Sequence, residues 1–95
     1  MSTNKFALGR VVATPAAMSA ADAIDGGTEV VFVTLIRRHQ CGDWSEMDAE
    51  DRTVNEDAVR VGNRILSAYT MSGVKFWVIT EWDRSVTTIL LPEDY

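Results

Sequence analysis

The second half of the chain alternates between apolar and polar positions with the period of two that is typical of β-strands. Two such runs are NRILSAYT at residues 63–70 and KFWVITEW at residues 75–82. Between them, Ser72-Gly73 favours a hairpin turn. A third run, SVTTILL at residues 85–91, follows after a short charged segment. This pattern predicts a three-stranded antiparallel meander.

The beginning of the chain predicts a strand followed by a helix. FALGRVVATP, residues 6–15, is rich in residues that favour β-structure, and Pro15 can end a strand and occupy the first position of a helix. Thr14 is suited to cap that helix. The alanine-rich stretch PAAMSAADAI, residues 15–24, has high helix propensity and ends before Gly26-Gly27.

The segment TEVVFVTLIRRH, residues 28–39, is compatible with a strand or a helix. Its β-branched residues favour a strand. Against this, four larger side chains recur at the i, i+3, i+4, i+7 spacing of one helix face: Phe32, Leu35, Ile36 and His39. Thr28 can cap the start, and the basic residues at the end suit a negative helix terminus. We predict a helix that stops at Gly42.

A third helix is predicted from about Glu46 to Val61. Ser45 with Asp48 three residues later resembles a capping box that would begin it, and Gly62 would end it. Together the elements predict a single α+β domain over residues 1–95. It consists of an N-terminal strand, two to three helices and the antiparallel meander, with the helices packed on one face of the sheet.

Length and composition set limits on this domain. The chain has 95 residues, of which 46% are hydrophobic, so it can bury a core without a disulfide or a structural metal. Cys41 is the only cysteine, which excludes an intramolecular disulfide and agrees with a reducing cytoplasm. The N-terminus has no signal-peptide pattern, and the longest apolar run, VVFV, is too short for a membrane span. We expect a cytoplasmic protein without membrane association.

The charge balance is acidic, with 14 acidic and 9 basic residues and a net charge of −5. Non-specific nucleic-acid binding depends on Lys and Arg that neutralise phosphates, so we expect no direct nucleic-acid partner. Six acidic residues lie between Glu46 and Asp57 with a single base, Arg52. They raise an alternative function, in which an acidic surface mimics a nucleic acid and competes for a basic groove.

The segment RRHQCGDW, residues 37–44, contains the only His and the only Cys. His39, Cys41 and Asp43 have suitable metal-binding atoms, but their spacing matches no recognised zinc pattern. A Cys41 nucleophile with His39 as its base would need side chains that neighbouring positions usually direct apart. The glycines form no phosphate-binding loop. We therefore expect no metal and no cofactor, and a helix end at which His39 and the arginines bind free carbonyls while Trp44 packs into the core.

A second set of polar residues surrounds the segment EWDRS, residues 81–85. A carboxylate–guanidinium cluster can form from Asp43 with Arg64, or from Glu81 and Asp83 with Arg84. Such pairs can bind a ligand or shift a pKa for acid–base catalysis. The simpler interpretation is a structural turn whose charges face water. The candidate binding cluster consists of His39, Asp43, Trp44, Arg64, Glu81, Trp82, Asp83 and Arg84.

Three segments, RHQCGDW, NEDAVRVGNRILSAY and KFWVITEWDRSVTTILLPEDY, make residues 35–95 similar to a family of short uncharacterised bacterial proteins. The family is associated with plasmids, phages and other mobile elements, and some members are labelled as type I restriction subunits. Residues 1–34 match it less clearly. The resemblance implies a biological context but no activity, because modification methylases carry cofactor and catalytic motifs that this sequence lacks. It rests on Arg38, His39, Gly42, Asp43, Trp44, Asn55, Gly62, Arg64, Ser67, Tyr69 and the stretch 79–95.

These observations lead to the hypothesis of a non-enzymatic protein-binding module from a mobile genetic element. It would act on host-defence or plasmid functions through a polar surface that exposes Trp44 or Trp82. A small hydrolase or nuclease is an alternative, and it requires four side chains to converge in one pocket: His39, Asp43, Arg64 and Glu81. An edge strand of the small sheet can also pair with a second copy, which would give a homodimer.

Overall fold

The computed structural model describes residues 4–95, which form three helices and a four-stranded sheet. The helices are α1 (Pro15–Asp22), α2 (Gly27–Gln40) and α3 (Ala49–Val61). The strands are β1 (Arg10–Ala13), β2 (Ile65–Met71), β3 (Val74–Thr80) and β4 (Val86–Leu90), followed by a 3-10 turn, Pro92–Asp94. The predicted α+β class is confirmed; residues 1–3 of the predicted domain lie outside the described range. None of the helices in this part of the chain is long and apolar enough to cross a membrane.

The sheet has the strand order β1-β4-β3-β2. Strands β2, β3 and β4 form the predicted antiparallel meander, with Tyr69 opposite Phe76. The sheet as a whole is mixed, however, because β1 pairs in parallel with β4 and places Arg10 opposite Val86. Parallel strands need a long crossover connection, and here it consists of the three helices together with β2 and β3.

Helices α1 and α2 share a buried core with residues of the sheet. Helices α1 and α2 cover its centre, and α3 flanks the beginning of β2. Removal of their apolar side chains from water is the main force that holds the layers together. The central core contains Ala17, Ala21, Val31, Leu35, Tyr69, Phe76, Val78 and Ile89. A smaller cluster under α3 contains Trp44, Ala58 and Ile65.

The opposite face of the sheet, here called the outer face, is formed by the alternate strand positions. These positions include Val12, Leu66, Ala68, Trp77, Ile79, Thr88 and Leu90. The C-terminal segment packs against this face: the rings of Trp77 and Tyr95 meet edge to face with centroids 5.6 Å apart. The Thr14 hydroxyl also donates to the Asp94 carboxylate at 2.7 Å. Even without helices on this side, Ile79 is only 3% exposed.

The first two helix starts differ in how they are capped. The predicted cap at Thr14 is confirmed, since its side chain accepts a hydrogen bond from the N–H of Ala17. The helical prediction for the ambiguous segment is also confirmed, because α2 covers it. The predicted cap at Thr28 is wrong: Gly26, with a φ of 94°, precedes the helix, and the Thr28 hydroxyl donates to Met18 O.

Helix α3 begins later than predicted. The capping box at Ser45 is wrong, because the Ser45 hydroxyl donates to Asp43 instead. Asp48 is the cap, and its carboxylate accepts from the N–H of Asp51 at 2.8 Å. A carboxylate is a strong acceptor at the positive end of a helix, which favours this arrangement. The predicted stop at Gly62 is confirmed by its φ of 82°.

Candidate functional site

The imidazole of His39 is fully buried between α2 and the sheet. Its Nδ1 lies 2.6 Å from Ser67 Oγ, and its Nε2 lies 2.8 Å from Thr80 Oγ1. The predicted role of His39, binding free carbonyls at the helix end, is wrong. Position 39 shares the buried stripe of α2 with Val31 and Leu35, so the ring points across to the strands.

These contacts belong to a longer series of hydrogen bonds. Thr80 Oγ1 lies 2.7 Å from Thr87 Oγ1, and the Thr87 hydroxyl donates to the backbone carbonyl of Leu8 at 2.7 Å. At the other end, the Trp44 indole donates to Ser67 Oγ at 2.8 Å. This series, here called the His39 chain, runs through Trp44, Ser67, His39, Thr80, Thr87 and Leu8.

The donors and acceptors of the His39 chain follow from its carbonyl end. The Leu8 carbonyl can only accept, so Thr87 donates to it and accepts from Thr80. Thr80 has then used its only proton, and it accepts from Nε2 of His39. A neutral imidazole with its proton on Nε2 accepts at Nδ1, so Ser67 donates there. Each hydroxyl therefore donates once and accepts once.

Burial, and to a lesser extent the positive charge of Arg84, lower the pKa of His39 from 6.5 to about 3. The ring is therefore neutral at physiological pH. A general base needs access to its substrate and a pKa near the working pH, and His39 has neither. Within residues 4–95, no buried side-chain nitrogen or oxygen lacks a hydrogen-bond partner. The arrangement indicates a structural role, in which the His39 chain ties α2 to the three strands of the meander and to the loops that contain Leu8 and Trp44.

Asp43 follows α2 at the surface and belongs to an ion-pair cluster. Arg38 Nε donates to Asp43 Oδ2 at 2.6 Å, and Arg38 Nη1 lies 3.0 Å from Glu46 Oε2, with the three side chains 27% to 34% exposed. Burial raises the pKa of Asp43, but hydrogen bonds from Arg38 and the neighbouring serine outweigh it and hold the pKa below its usual range. The Tyr69 hydroxyl donates to the Asp43 carbonyl at 2.7 Å, which fastens this cluster to β2.

Arg64 directly precedes β2 on the outer face, so its predicted pairing with Asp43 is wrong. Its Nε lies 3.7 Å from Glu81 Oε1, and its Nη1 donates to the Tyr95 hydroxyl at 2.9 Å. The Arg64 and Glu81 side chains are 45% and 36% exposed, so solvent screens this pair and it contributes little to stability. Arg64 mainly helps to hold Tyr95 against the outer face.

The corner between β3 and β4, residues 81–85, is fastened by Arg84. The Arg84 guanidinium donates to four backbone carbonyls: Asn63 at 2.7 Å, Ala58 at 2.9 Å, Glu81 at 3.1 Å and Trp82 at 3.3 Å. Ala58 lies in the last turn of α3 and Asn63 just beyond its end, so the guanidinium ties the corner to the C-terminal end of this helix. Both predictions for Arg84, pairing with a carboxylate in the corner and pointing into water, are therefore wrong.

The rest of the corner matches the predicted turn. Asp83 accepts from the Ser85 N–H at 3.0 Å and from the Ser85 hydroxyl at 2.6 Å, and these bonds lower the pKa of Asp83. The Trp82 side chain is 66% exposed. Trp44, by contrast, is 4% exposed, so its predicted packing in the core is confirmed and its predicted exposure as a binding anchor is wrong.

The four side chains of the hydrolase or nuclease alternative do not converge. Asp43 is fastened to the far half of β2 at Tyr69, whereas Arg64 and Glu81 lie where β2 begins. The five-residue separation between Arg64 and Tyr69 corresponds to about 17 Å along a strand. His39 is buried and opens to neither group. Among residues 4–95, no group of three or more His, Cys, Asp or Glu side chains is placed to hold a metal ion.

Sequence reasoning missed Ser67 and Thr80 as partners of His39. Both occupy inward-facing strand positions, where alternation predicts an apolar residue, and both are fully buried. A small hydroxyl at such a position is the signal that could have found them, since a buried imidazole needs a partner for each nitrogen. Asn55 of α3, which bonds the backbone of Leu66 on β2, has no comparable signal in the sequence.

Two of the open clefts at the surface of residues 4–95 include none of His39, Arg64 and Glu81. One of about 260 Å³ is lined by Met47, Asp51, Val54, Asn55 and Leu66. The other, of about 280 Å³, is lined by Lys5, Gly42, Trp44, Glu56 and Val59. The polar residues that the sequence singles out therefore lie in separate places: the buried His39 chain, the ion-pair cluster around Asp43, and the corner with the adjacent Arg64.

Comparison with known proteins identifies no relative of the chain. No protein-family model, curated protein or solved structure matches it.

Proposed function

We propose that the protein is a non-enzymatic protein-binding module that contacts another protein through the corner, residues 81–85. The observation that carries this proposal is the position of Trp82, whose side chain is 66% exposed at a turn. A large aromatic surface in contact with water gains free energy when a partner covers it. Tryptophan is also among the residues that most often dominate binding energy at protein–protein interfaces.

The rigidity of the corner supports this role. Arg84 fastens the corner to the end of α3 through four backbone carbonyls, and Asp83 fixes the turn through Ser85. A preorganised backbone lowers the entropic cost of binding, because less freedom is lost when the partner docks. Val61, in the last turn of α3, is 56% exposed and adds an aliphatic side chain at the helix end that Arg84 caps.

The polar side chains also favour binding over catalysis. His39 is buried with a pKa of about 3, and its two nitrogens are occupied by hydroxyl groups. Asp43 is engaged by Arg38, and Arg84 by backbone carbonyls. The helix α3 gives limited support to an acidic nucleic-acid mimic, since Arg52 lies among its acidic residues and Arg60 pairs with Asp57.

The biological context of the proposal comes from the resemblance of residues 35–95 to short plasmid and phage proteins. We propose that the module is encoded by a mobile genetic element and acts in the bacterial cytoplasm. Its partner would then be a protein of host defence or plasmid maintenance.

The proposal is tested by affinity capture from a bacterial lysate with three forms of the protein. Trp82→Ala removes the anchor, and Val30→Ala, on α2 and 53% exposed, is a matched control for the loss of exposed apolar surface. We expect a protein that wild type and Val30→Ala retain and that Trp82→Ala loses, with thermal unfolding showing that both variants fold. Equal retention of the same protein by all three forms would exclude the corner as the binding surface. A wild-type protein that retains nothing above blank resin would contradict a binding module altogether.

A further inference from the structure

The β2 edge of the sheet is partly covered by side chains. The Asn55 amide donates to the Leu66 carbonyl at 2.8 Å and accepts from the Leu66 N–H at 3.3 Å. Further along the same edge, Glu46 Oε1 accepts from the N–H of Thr70 at 2.9 Å. Side chains thus occupy the backbone groups of Leu66 and the N–H of Thr70, which a neighbouring strand would need in order to pair along β2.

The β1 edge is open. The N–H groups of Arg10 and Thr14 donate to carbonyls on the β4 side, both at 3.0 Å. Because bonding alternates along a parallel strand, the N–H and C=O groups of Val11 and Ala13 point away from β4. Nothing within residues 4–95 bonds these four outward groups, and the Val11 side chain is 46% exposed.

The four outward groups of one copy can pair with the same four groups of a second copy when the two β1 strands run antiparallel and are centred on Val12. When an antiparallel second copy places its Val12 opposite Val12 of the first, each Val11 lies opposite the other copy's Ala13. Both of these pairs are of the hydrogen-bonded type, so all four outward groups of each copy are satisfied. Moving the axis by one residue would bring either Pro15, which has no N–H, or Gly9, with a φ of 64°, into the ladder.

Charge favours the same register. Each Arg10 then lies on the outer face opposite the second copy's Thr14, whose hydroxyl holds the Asp94 carboxylate at 2.7 Å. Hydrogen bonds from Thr14 and from the Leu91 N–H lower the pKa of Asp94, so this carboxylate is negative at neutral pH. Arg10 is exposed and has no carboxylate within 4.0 Å among residues 4–95. Two Arg10–Asp94 contacts, one on each side of the axis, are therefore available.

We propose that β1 is a homodimerisation edge, at which a second copy of this chain pairs antiparallel about a twofold axis at Val12. The product is a continuous sheet in which the two outer faces join and the Val12 side chains meet. Such an isologous interface is complete after two copies, so it does not propagate into a fibre. The pairing is short, which makes the dimer reversible and its population dependent on concentration. The inference does not depend on a separate protein partner.

Cysteine cross-linking tests the register directly. In a Cys41→Ser background, Val12→Cys places two thiols at the axis, where facing Cα atoms of a non-hydrogen-bonded pair are about 4.5 Å apart, within the range of a disulfide. Val11→Cys is the matched control, because its thiols lie two positions out of register. With oxidised glutathione as the oxidant, we expect a covalent dimer from Val12→Cys and little from Val11→Cys or from Ala68→Cys on β2. Equal yields from the three variants, or none from Val12→Cys, would overturn the proposal.

Charge exchange gives a second readout that does not require a disulfide. We expect sedimentation velocity to show wild type shifting from monomer to dimer as concentration rises. Arg10→Asp and Asp94→Arg each bring like charges together, so each alone should dimerise less. A one-to-one mixture of the two variants restores both opposite-charge contacts and should recover the dimer. Wild type that stays monomeric at every concentration, or a mixture no better than its components, would refute the interface.

Discussion

Mild acid is predicted to destabilise the protein through His39. The folded state holds a neutral imidazole with a pKa of about 3, while the unfolded chain has the ordinary value of 6.5. Between these values the unfolded state binds a proton that the folded state does not. The free energy of unfolding therefore falls as the pH falls below 6.5, and the stabilisation is fully present above it.

The size of this effect follows from the shift in pKa. Each pH unit below the unfolded pKa removes about 1.4 kcal/mol, so the free energy of unfolding at about pH 4.5 is lower by about 3 kcal/mol. Domains of this size have a total stability of about 5–15 kcal/mol, so the loss is a large fraction of it. Asp43, Asp83 and Asp94 also have lowered pKa values, but they weaken the fold only as the pH approaches their ordinary value of 3.8. Between about pH 4.5 and pH 6.5, the pH dependence of the free energy of unfolding therefore comes mainly from His39 and not from these three aspartates.

Urea unfolding followed by tryptophan fluorescence measures this dependence, because Trp44 donates into the His39 chain. The informative variant is His39→Gln, whose amide can still contact Ser67 and Thr80 but does not titrate. We expect it to be less stable than wild type at neutral pH and nearly independent of pH across the window. Asp83→Asn, which removes an exposed carboxylate, is the control and should keep the wild-type slope.

Two results would refute this reasoning. A wild-type free energy of unfolding that is unchanged between pH 6.5 and about pH 4.5 would mean that the folded state accepts a proton on His39 without cost. A slope that persists in His39→Gln would assign the pH dependence to other groups.

Three further predictions concern the corner and the backbone. Arg84→Ala removes four hydrogen bonds to carbonyls and is expected to lower the free energy of unfolding by about 2 kcal/mol in urea titrations; full stability in this variant would mean that water replaces the guanidinium. Asn55→Ala leaves the backbone groups of Leu66 without partners, so we expect the free energy of unfolding to fall by about 1–2 kcal/mol and aggregation, measured by light scattering, to become faster. Unchanged aggregation would show that the β2 edge does not need this side chain. Gly9 has a φ of 64°, and the Cβ of Gly9→Ala would clash with backbone carbonyls of the corner. Its Tm should therefore fall further than that of Gly73→Ala, where φ is 79° but no atom lies near the added Cβ. Equal decreases in Tm would contradict the steric part of this prediction.

The elements that depend on local pattern could be predicted from the sequence. The meander follows from period-two alternation and a hairpin turn, and α2 follows from the i, i+3, i+4, i+7 spacing that overrides its β-branched residues. Thr14 and Gly62 mark helix ends because capping is set by residues within one turn. The predicted start of α3 is too early because Ser45 and Asp48 are both suitable helix caps, and only the fold decides between them.

The long-range relations could not be predicted in this way. His39 meets Ser67 and Thr80, which are 28 and 41 residues away, so nothing near it in sequence indicates its partners. Arg84 is long enough to reach carboxylates or carbonyls, and its choice depends on where α3 ends. The parallel pairing of β1 with β4 likewise depends on how the three helices and two strands between them are arranged.

This pairing also constrains the order in which the protein is built. The Thr87 hydroxyl bonds Leu8 across 79 positions, and Thr14 bonds Asp94 across 80. A ribosome therefore releases β1 and all the helices before it has made the strand on which β1 rests. During translation the first strand has no partner within its own chain and must be kept from pairing elsewhere until β4 emerges. The buried series of hydrogen bonds through His39 can close only after that moment.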